Sequence, residues 1–390
     1  MESRFMLQPY KIFNSAEFID RDSEFERVGA FQKEKSRGVI IFEGERGSGK
    51  TTFLFELYRR LHEQHELRPF LISLFPHSAP EFASNKNIWL NSERQFQKSD
   101  VPDVLNHLAH YLEVEVIETD DRDFQKDYFA RGLAYRASKT IPILLVDAIY
   151  ECPDETRLEI EKYILVPLLA SERVFIILSG RGKYPIWSRP ELQNAEIWKL
   201  EPLERAFIRE QLVKLKELGK LQRDLSEFDA IVELSSGNPL IARVLADSKK
   251  PLLDGLSEAI DVMIKDVLPS WISDEEKLEI RSQVEKLALV DIPFRNIDVE
   301  EYLYGNDPER RRKTDRVFNI LKASHLMVYE GKGHHLNQSL VDPIRKWLKL
   351  QGRADKYLEQ LRAVSLRLQK EYPTVKGWYE RMLPHNFTTA

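Results

Sequence analysis

The segment Gly44-Glu45-Arg46-Gly47-Ser48-Gly49-Lys50-Thr51 fits the pattern G-x-x-x-x-G-K-[ST], and the apolar run Gly38-Val39-Ile40-Ile41-Phe42-Glu43 delivers the chain into it. Such a loop works only where a buried strand precedes it and a helix follows, so the chain has to build a strand, a loop and a helix here. The helix comes from Thr52-Phe53-Leu54-Phe55-Glu56-Leu57-Tyr58-Arg59-Arg60-Leu61, which has neither glycine nor proline. The residue types then point to a chemistry. The glycines let the backbone wrap so that successive N–H groups face a phosphate, Lys50 neutralises β- and γ-phosphate oxygens, and the Thr51 hydroxyl is placed to ligate Mg²⁺. The expected nucleotide contacts are Gly44, Arg46, Gly47, Ser48, Gly49, Lys50, Thr51 and Thr52.

With 390 residues the chain exceeds one compact core of usual size, and two or three domains are expected. Hydrophobic residues make up 42% and charged residues 31%, which is enough apolar material for real cores. No uninterrupted apolar run reaches the ~20 residues that a bilayer span needs. Met1 to Asp20 alternates apolar and polar residues, without the continuous apolar stretch and small-residue cleavage site of a signal peptide. The single cysteine, Cys152, excludes an intrachain disulfide framework and a multi-cysteine zinc site. A soluble cytoplasmic protein without a membrane partner is therefore expected. The net charge of −5 gives no global electrostatic reason for nucleic-acid binding.

Strand-like apolar runs occur at Val39–Phe42, Pro69–Leu74, Ile141–Val146, Val174–Leu178 and Glu196–Leu200, with helical periodicity between them. That alternation predicts a parallel α/β sheet. Phe75–Asp100, rich in Ser, Asn and Pro, reads as a long exposed loop holding a short helix. After Glu201-Pro202-Leu203 strand signals nearly vanish, and helices are expected near Glu204–Gly219, Ser226–Leu234, Leu240–Asp247, Leu256–Val267 and Asp274–Ala288. Around Val317–Gln338 the pattern becomes helix, strand, a Gly331-Lys332-Gly333 turn and strand, the ending of a winged helix. The expected architecture is an α/β P-loop NTPase parallel sheet (1–202), a small helical lid domain (203–268), a winged-helix domain (269–350) and a charged helical tail (351–390).

A second chemical site is the strand Ile143-Leu144-Leu145-Val146-Asp147. A carboxylate at the end of a buried strand beside the phosphate loop can hold Mg²⁺ through its water shell, so Asp147 is the candidate acid. It is followed by Ala148, Ile149, Tyr150 and Glu151. Glu151 is the nearest acid able to serve as general base; the alternative is a helix N-terminal acid facing the macrodipole.

Three further segments give a family resemblance. Phe18-Ile19-Asp20-Arg21-Asp22-Ser23-Glu24-Phe25 resembles the F-x-G-R-x-x-E box of STAND and archaeal-type AAA ATPases, with Asp20 in place of glycine. Val174–Arg181 resembles the sensor 1 strand of those proteins, and Gly237-Asn238-Pro239-Leu240 is similar to the G-x-P motif of their helical domain. The resemblance spans about Phe18 to Leu350. It implies that Arg21 lies against the nucleotide base, that Arg181 reaches the γ-phosphate and that Pro239 packs on the nucleotide. Ala148 stands where an AAA+ ATPase carries its water-activating glutamate; a small residue there, with an acid four positions after the aspartate, resembles the NACHT-type arrangement. In related proteins a histidine sits where the wing strand enters the last helix; here that place falls on Gln338, with His334 or His335 as substitutes. Adjacent strand residues face opposite ways, so one of these histidines is expected to be exposed and the other packed.

The resemblance implies a signal-transducing ATPase switch binding ATP or ADP with Mg²⁺, acting as a homo-oligomer in the ATP state or through a separate effector or sensor protein. Membership of a prokaryotic conflict system belongs to the same implication. The competing reading is a DNA-binding AAA+ protein of the replication-initiator or transposition-regulator kind. Residues 271–350 hold 14 Lys/Arg and 14 Asp/Glu, a neutral balance unlike that of a phosphate-backbone binder. Arg310-Arg311-Arg312-Lys313 and Arg316 nevertheless cluster on one predicted helix, so DNA stays an unfavoured alternative partner.

Overall fold

The computed structural model describes residues 18–35, 37–64, 67–74, 85, 87–90, 100–115, 117, 119–137, 139, 142–171, 173–181, 187–269, 271–329 and 331–384. The readings for residues 1–17, and most of those for 75–99, fall outside the described residues. The chain divides into two compact units. The first is Met1–Gly44 with Gly49–Glu201, and the second is Glu45–Ser48 with Pro202–Ala390.

In the first unit the apolar runs become strands β1 (Gly38–Gly44), β2 (Arg68–Ser73), β3 (Ile88–Leu90), β4 (Pro142–Asp147), β5 (Phe175–Arg181) and β6 (Glu196–Lys199). They form one sheet in the order β3-β2-β4-β5-β1-β6, and every pairing is parallel. Parallel sheets bury both faces, which explains why these strands read as continuous apolar runs. Side chains still alternate. Val39, Ile41, Phe70, Ile72, Leu144 and Val146 enter one core cluster with residues of α3 (Asp100–Leu112) and α4 (Arg122–Ala137). Ile40, Phe42, Leu71, Ile143 and Leu145 enter the other, against α1 (Asp22–Glu34) and α2 (Lys50–His62).

One expectation needs correction. Part of the segment read as an exposed loop, Ile88–Leu90, is instead an edge strand on β2, with Ile88 and Trp89 buried. Three residues between polar stretches are too short for a period-two signal. In the sheet β5 runs between β1 and β4, the strand that ends in Asp147. This order brings the carboxyl ends of β4, β5 and β1 side by side, and in open α/β sheets ligands bind at such ends.

β4 is followed by α5 (Asp154–Ile160), a π turn at Glu161–Leu165 and α6 (Val166–Leu169). Glu161 is fully buried in that turn, where its carboxylate accepts from Arg157 and from the Ser188 backbone and hydroxyl. A buried carboxylate survives where such donors satisfy it.

The second unit is helical, with α7 (Arg205–Glu217), α8 (Phe228–Ser235), α9 (Pro239–Asp247), α10 (Leu252–Lys265), α11 (Asp274–Leu287), α12 (Asn296–Tyr304) and α13 (Arg310–Ala323). A hairpin follows, β7 (Met327–Tyr329) with β8 (His334–Leu336), and then α14 (Gln338–Leu350), α15 (Ala354–Glu371) and α16 (Lys376–Glu380). Phe294 bridges antiparallel to His334, adding a third extended segment beside the hairpin. Residues 353–384 are held in this unit. α15 buries Leu361, Val364 and Leu368, and the buried Tyr379 donates its hydroxyl to Asp298 Oδ1 at 3.1 Å.

Candidate phosphate-binding site

The loop between β1 and α2 takes the shape its glycines permit. Gly47 and Gly49 lie at φ 80° and 92°, in the left-handed region that costs glycine nothing. Gly49 is the N-cap of α2 and, as glycine, brings no side-chain cap of its own. The first N–H groups of α2 therefore keep their capacity to bond an anion. The buried Lys50 donates from Nζ to the Gly44 carbonyl at 2.7 Å, holding its ammonium against the loop's own backbone. Ser48 is buried, and its N–H bonds the Glu45 carbonyl at 3.3 Å; Thr52 is half-buried in the first turn of α2.

Thr51 Oγ1 donates to Asp147 Oδ2 at 2.8 Å, and Ser179 Oγ donates to Asp147 Oδ1 at 2.6 Å. Asp147 is only 2% exposed, so these hydroxyls orient a carboxylate that would be expensive to bury bare. One pair of oxygens thus joins the loop helix, β4 and the intervening β5. Ser179 carried no role in the sequence reading; its signal was its place two residues before Arg181 on an apolar strand.

Ala148 lies at φ 62°, which turns the chain sharply after Asp147. The Ile149 N–H bonds the Ser179 carbonyl and the Glu151 N–H bonds the Ala148 carbonyl, closing that turn. The Tyr150 ring covers Gly180, where a Cβ would strike it. Glu151 and Arg181 are brought together, with Glu151 Oε1 3.1 Å from Arg181 Nε. Glu151 Oε2 is buried with no hydrogen-bond partner among the described residues. Cys152 is buried, and burial pushes its thiol up to about 12, leaving it protonated and inert.

Asp20 adopts φ 65° and Arg21 φ 77°. The first is a left-handed conformation that glycine adopts freely, and aspartate is among the few other residues that tolerate it. Arg21 is 6% exposed and donates to the Glu201 carbonyl at 2.7 Å and to Glu24 at 2.9 Å, so its guanidinium is committed to these partners.

The second unit contains the loop tip, residues 45–48, where the side chains of Glu45 and Arg46 meet different helices. The Arg46 guanidinium donates to the Val262 carbonyl at 3.1 Å and lies 3.6 Å from Asp266, at the carboxyl end of α10. The Glu45 carboxylate accepts from the backbone N–H groups of Gln338, at 3.0 Å, and Ser339, capping α14. The N-cap residue Asn337 makes no side-chain cap bond and donates instead to the His325 carbonyl, which leaves that end of the helix to Glu45.

Pro239 is the first residue of α9, where its fixed φ suits a helix start. Asn238 caps that helix and also bonds the Arg46 carbonyl. Gly237 sits at φ 79°, where a Cβ would stand 2.7 Å from the Leu203 carbonyl. Of the proposed histidine substitutes, both are half-exposed, in place of one exposed and one packed. His334 packs edge-on against Phe318 and Tyr329, and burial lowers its pKa. Gln338 uses its backbone for Glu45 and its side chain for Asp342.

No family model matches the sequence, and no curated protein matches it. Among solved structures the chain is similar to the Walker-type ATPase of Pyrococcus abyssi, at 16% identity over 84% of this chain and 96% of that one, with a TM-score of 0.49. It is similar to Cdc6p from Pyrobaculum aerophilum, at 11% identity over 87% and 98%, with a TM-score of 0.42. A third is the Orc1 protein of Aeropyrum pernix in complex with DNA, at 14% identity over 89% and 97%, with a TM-score of 0.42. Among the described residues no helix is long and apolar enough to cross a membrane, and no cluster of three or more His, Cys, Asp or Glu is arranged to hold a metal.

Proposed function

We propose that the chain is an ATP-binding and slowly hydrolysing P-loop switch, whose nucleotide state controls self-assembly or contact with a protein partner. The observation that carries this reading is the chain of hydroxyls and carboxylate formed by Thr51, Asp147 and Ser179, next to a glycine loop whose helix starts at an N-cap glycine. Lys50 and the loop N–H groups bind the phosphates. Thr51 and Asp147 offer the hard oxygens that suit Mg²⁺, which when bound neutralises charge on the phosphate oxygens. A set of two protein oxygens fits that ion, because phosphate and water supply its remaining ligands.

Glu151 serves as general base, with Oε2 as the atom that takes a proton from the attacking water. Arg181 stabilises charge on the transferred phosphoryl group and orients Glu151 through its other oxygen. Arg21 lies against the nucleotide base, Pro239 packs on the nucleotide, and Gln338 takes no phosphate through its side chain. The helices of residues 203–268 form the lid, and residues 269–350 a winged helix whose third helix is α13.

Light scattering in MgADP and in a non-hydrolysable ATP analogue with Mg²⁺ tests the switch. Growth in mass with the ATP analogue alone supports self-assembly. Unchanged mass, together with no protein that binds in one nucleotide state only, overturns the reading.

The second reading is a DNA-binding AAA+ ATPase of the replication-initiator type. The observation favouring it is the winged-helix order of elements with basic residues on α13. Against it, four of those side chains already meet carboxylates: Arg310 with Glu300, Arg312 with Glu309, Lys313 with Asp307, and Arg316 with Glu276. A phosphate backbone would have to displace each pair.

A further inference from the structure

We propose that Asn238 is a positioning residue for the phosphate loop, fixing the Arg46–Gly47 peptide so that the Gly47 N–H is presented to phosphate. The inference rests on the nucleotide-binding reading above and adds a residue to it. Asn238 is 4% exposed, and both ends of its amide are used. Oδ1 accepts from the N–H groups of Leu240, at 3.0 Å, and Ile241, at 3.1 Å, capping α9. Nδ2 donates to the Arg46 carbonyl at 3.0 Å, 192 residues away in sequence.

The consequence follows from peptide geometry. In a planar trans peptide the carbonyl of one residue and the N–H of the next point in opposite directions. Drawing the Arg46 carbonyl toward Asn238 therefore turns the Gly47 N–H away from it. Gly47 lies at φ 80°, and a Cβ there would strike the Asn238 amide, so the loop and this side chain are fitted to each other at the one position where only glycine serves. A serine, threonine or aspartate would cap α9 as well as asparagine does. None of them carries an amide that accepts for the cap and donates to the loop at once. The amide is what the cap alone does not explain.

Asn238→Asp separates the two roles, since it keeps the capping oxygen and sets a carboxylate oxygen against the Arg46 carbonyl. Asn238→Ser keeps a cap and removes the donor without the repulsion. Calorimetry with ADP and with pyrophosphate, alongside thermal melts without ligand, reads the outcome. The expected result is that both variants fold, with the unliganded melting temperature lowered more in Asn238→Asp than in Asn238→Ser. ADP and pyrophosphate affinities should fall together by about tenfold in Asn238→Asp and by less in Asn238→Ser. Wild-type affinity for both ligands in either folded variant overturns the proposal while leaving the nucleotide reading intact. If wild-type protein binds neither ADP nor pyrophosphate, the nucleotide reading fails and this proposal with it.

Discussion

Arg181 Nε lies 3.1 Å from Glu151 Oε1, which joins the last residue of β5 to the acid four positions beyond Asp147. The pair orients the carboxylate, and the second oxygen, Oε2, is buried with no hydrogen-bond partner among the described residues. On the proposed reading this oxygen takes the proton from the attacking water.

Glu151→Gln should therefore retain MgATP binding and slow hydrolysis by roughly 10²-fold or more, the scale of a lost general base. Arg181→Gln should leave binding within a few-fold and slow hydrolysis at least as much, because it removes both the orienting partner and a charge near the phosphoryl group. Single-turnover hydrolysis measures both. A wild-type rate in Glu151→Gln would move the base elsewhere.

Replacing Arg310, Arg311, Arg312 and Lys313 by Ser tests the DNA reading. If α13 is a solvated face of internal ion pairs, duplex binding by wild type is weak and independent of ATP, and ATP-dependent assembly survives the replacement. If α13 reads DNA, wild type binds duplex with a steep salt dependence, and the quadruple variant loses up to about four units of log–log slope. Submicromolar, ATP-stimulated duplex binding that vanishes in the variant would favour the replication-initiator type.

The parts of the site legible in the sequence are those set by local pattern. The glycine loop is one, because its φ values of 80° and 92° demand the residues that are present. The apolar run ending at Asp147 is another. The strand order was not legible, since nothing in a run of Val, Ile and Leu says which strand lies between two others. Ile88–Leu90 was missed because three residues cannot display a period. Helix α12 escaped because its apolar side chains do not form a clear stripe: Val299, Tyr302 and Leu303 are buried, but so is Asp298, held by Arg295 and Tyr379.

Partnerships across hundreds of residues left no local mark. Asn238 looked like an ordinary residue before a helix-starting proline, and Glu45 like a free position in a motif. Their partners, Arg46 and the backbone of Gln338 and Ser339, are separated from them by 192 and by 293 and 294 residues. The Asp20 substitution was readable as a departure from glycine, but only its φ of 65° shows why the site accepts it.

The most direct test is calorimetric titration of ATP with Mg²⁺ into wild type and Lys50→Ala. Lys50 is buried beside the Gly44 carbonyl, and its truncation removes one ammonium while the glycine loop and α2 remain. The predicted result is measurable ATP binding by wild type, with most of that affinity and all turnover lost in a variant that keeps its circular dichroism spectrum. A folded Lys50→Ala protein that binds ATP as tightly as wild type would contradict the assignment of this loop as the phosphate site.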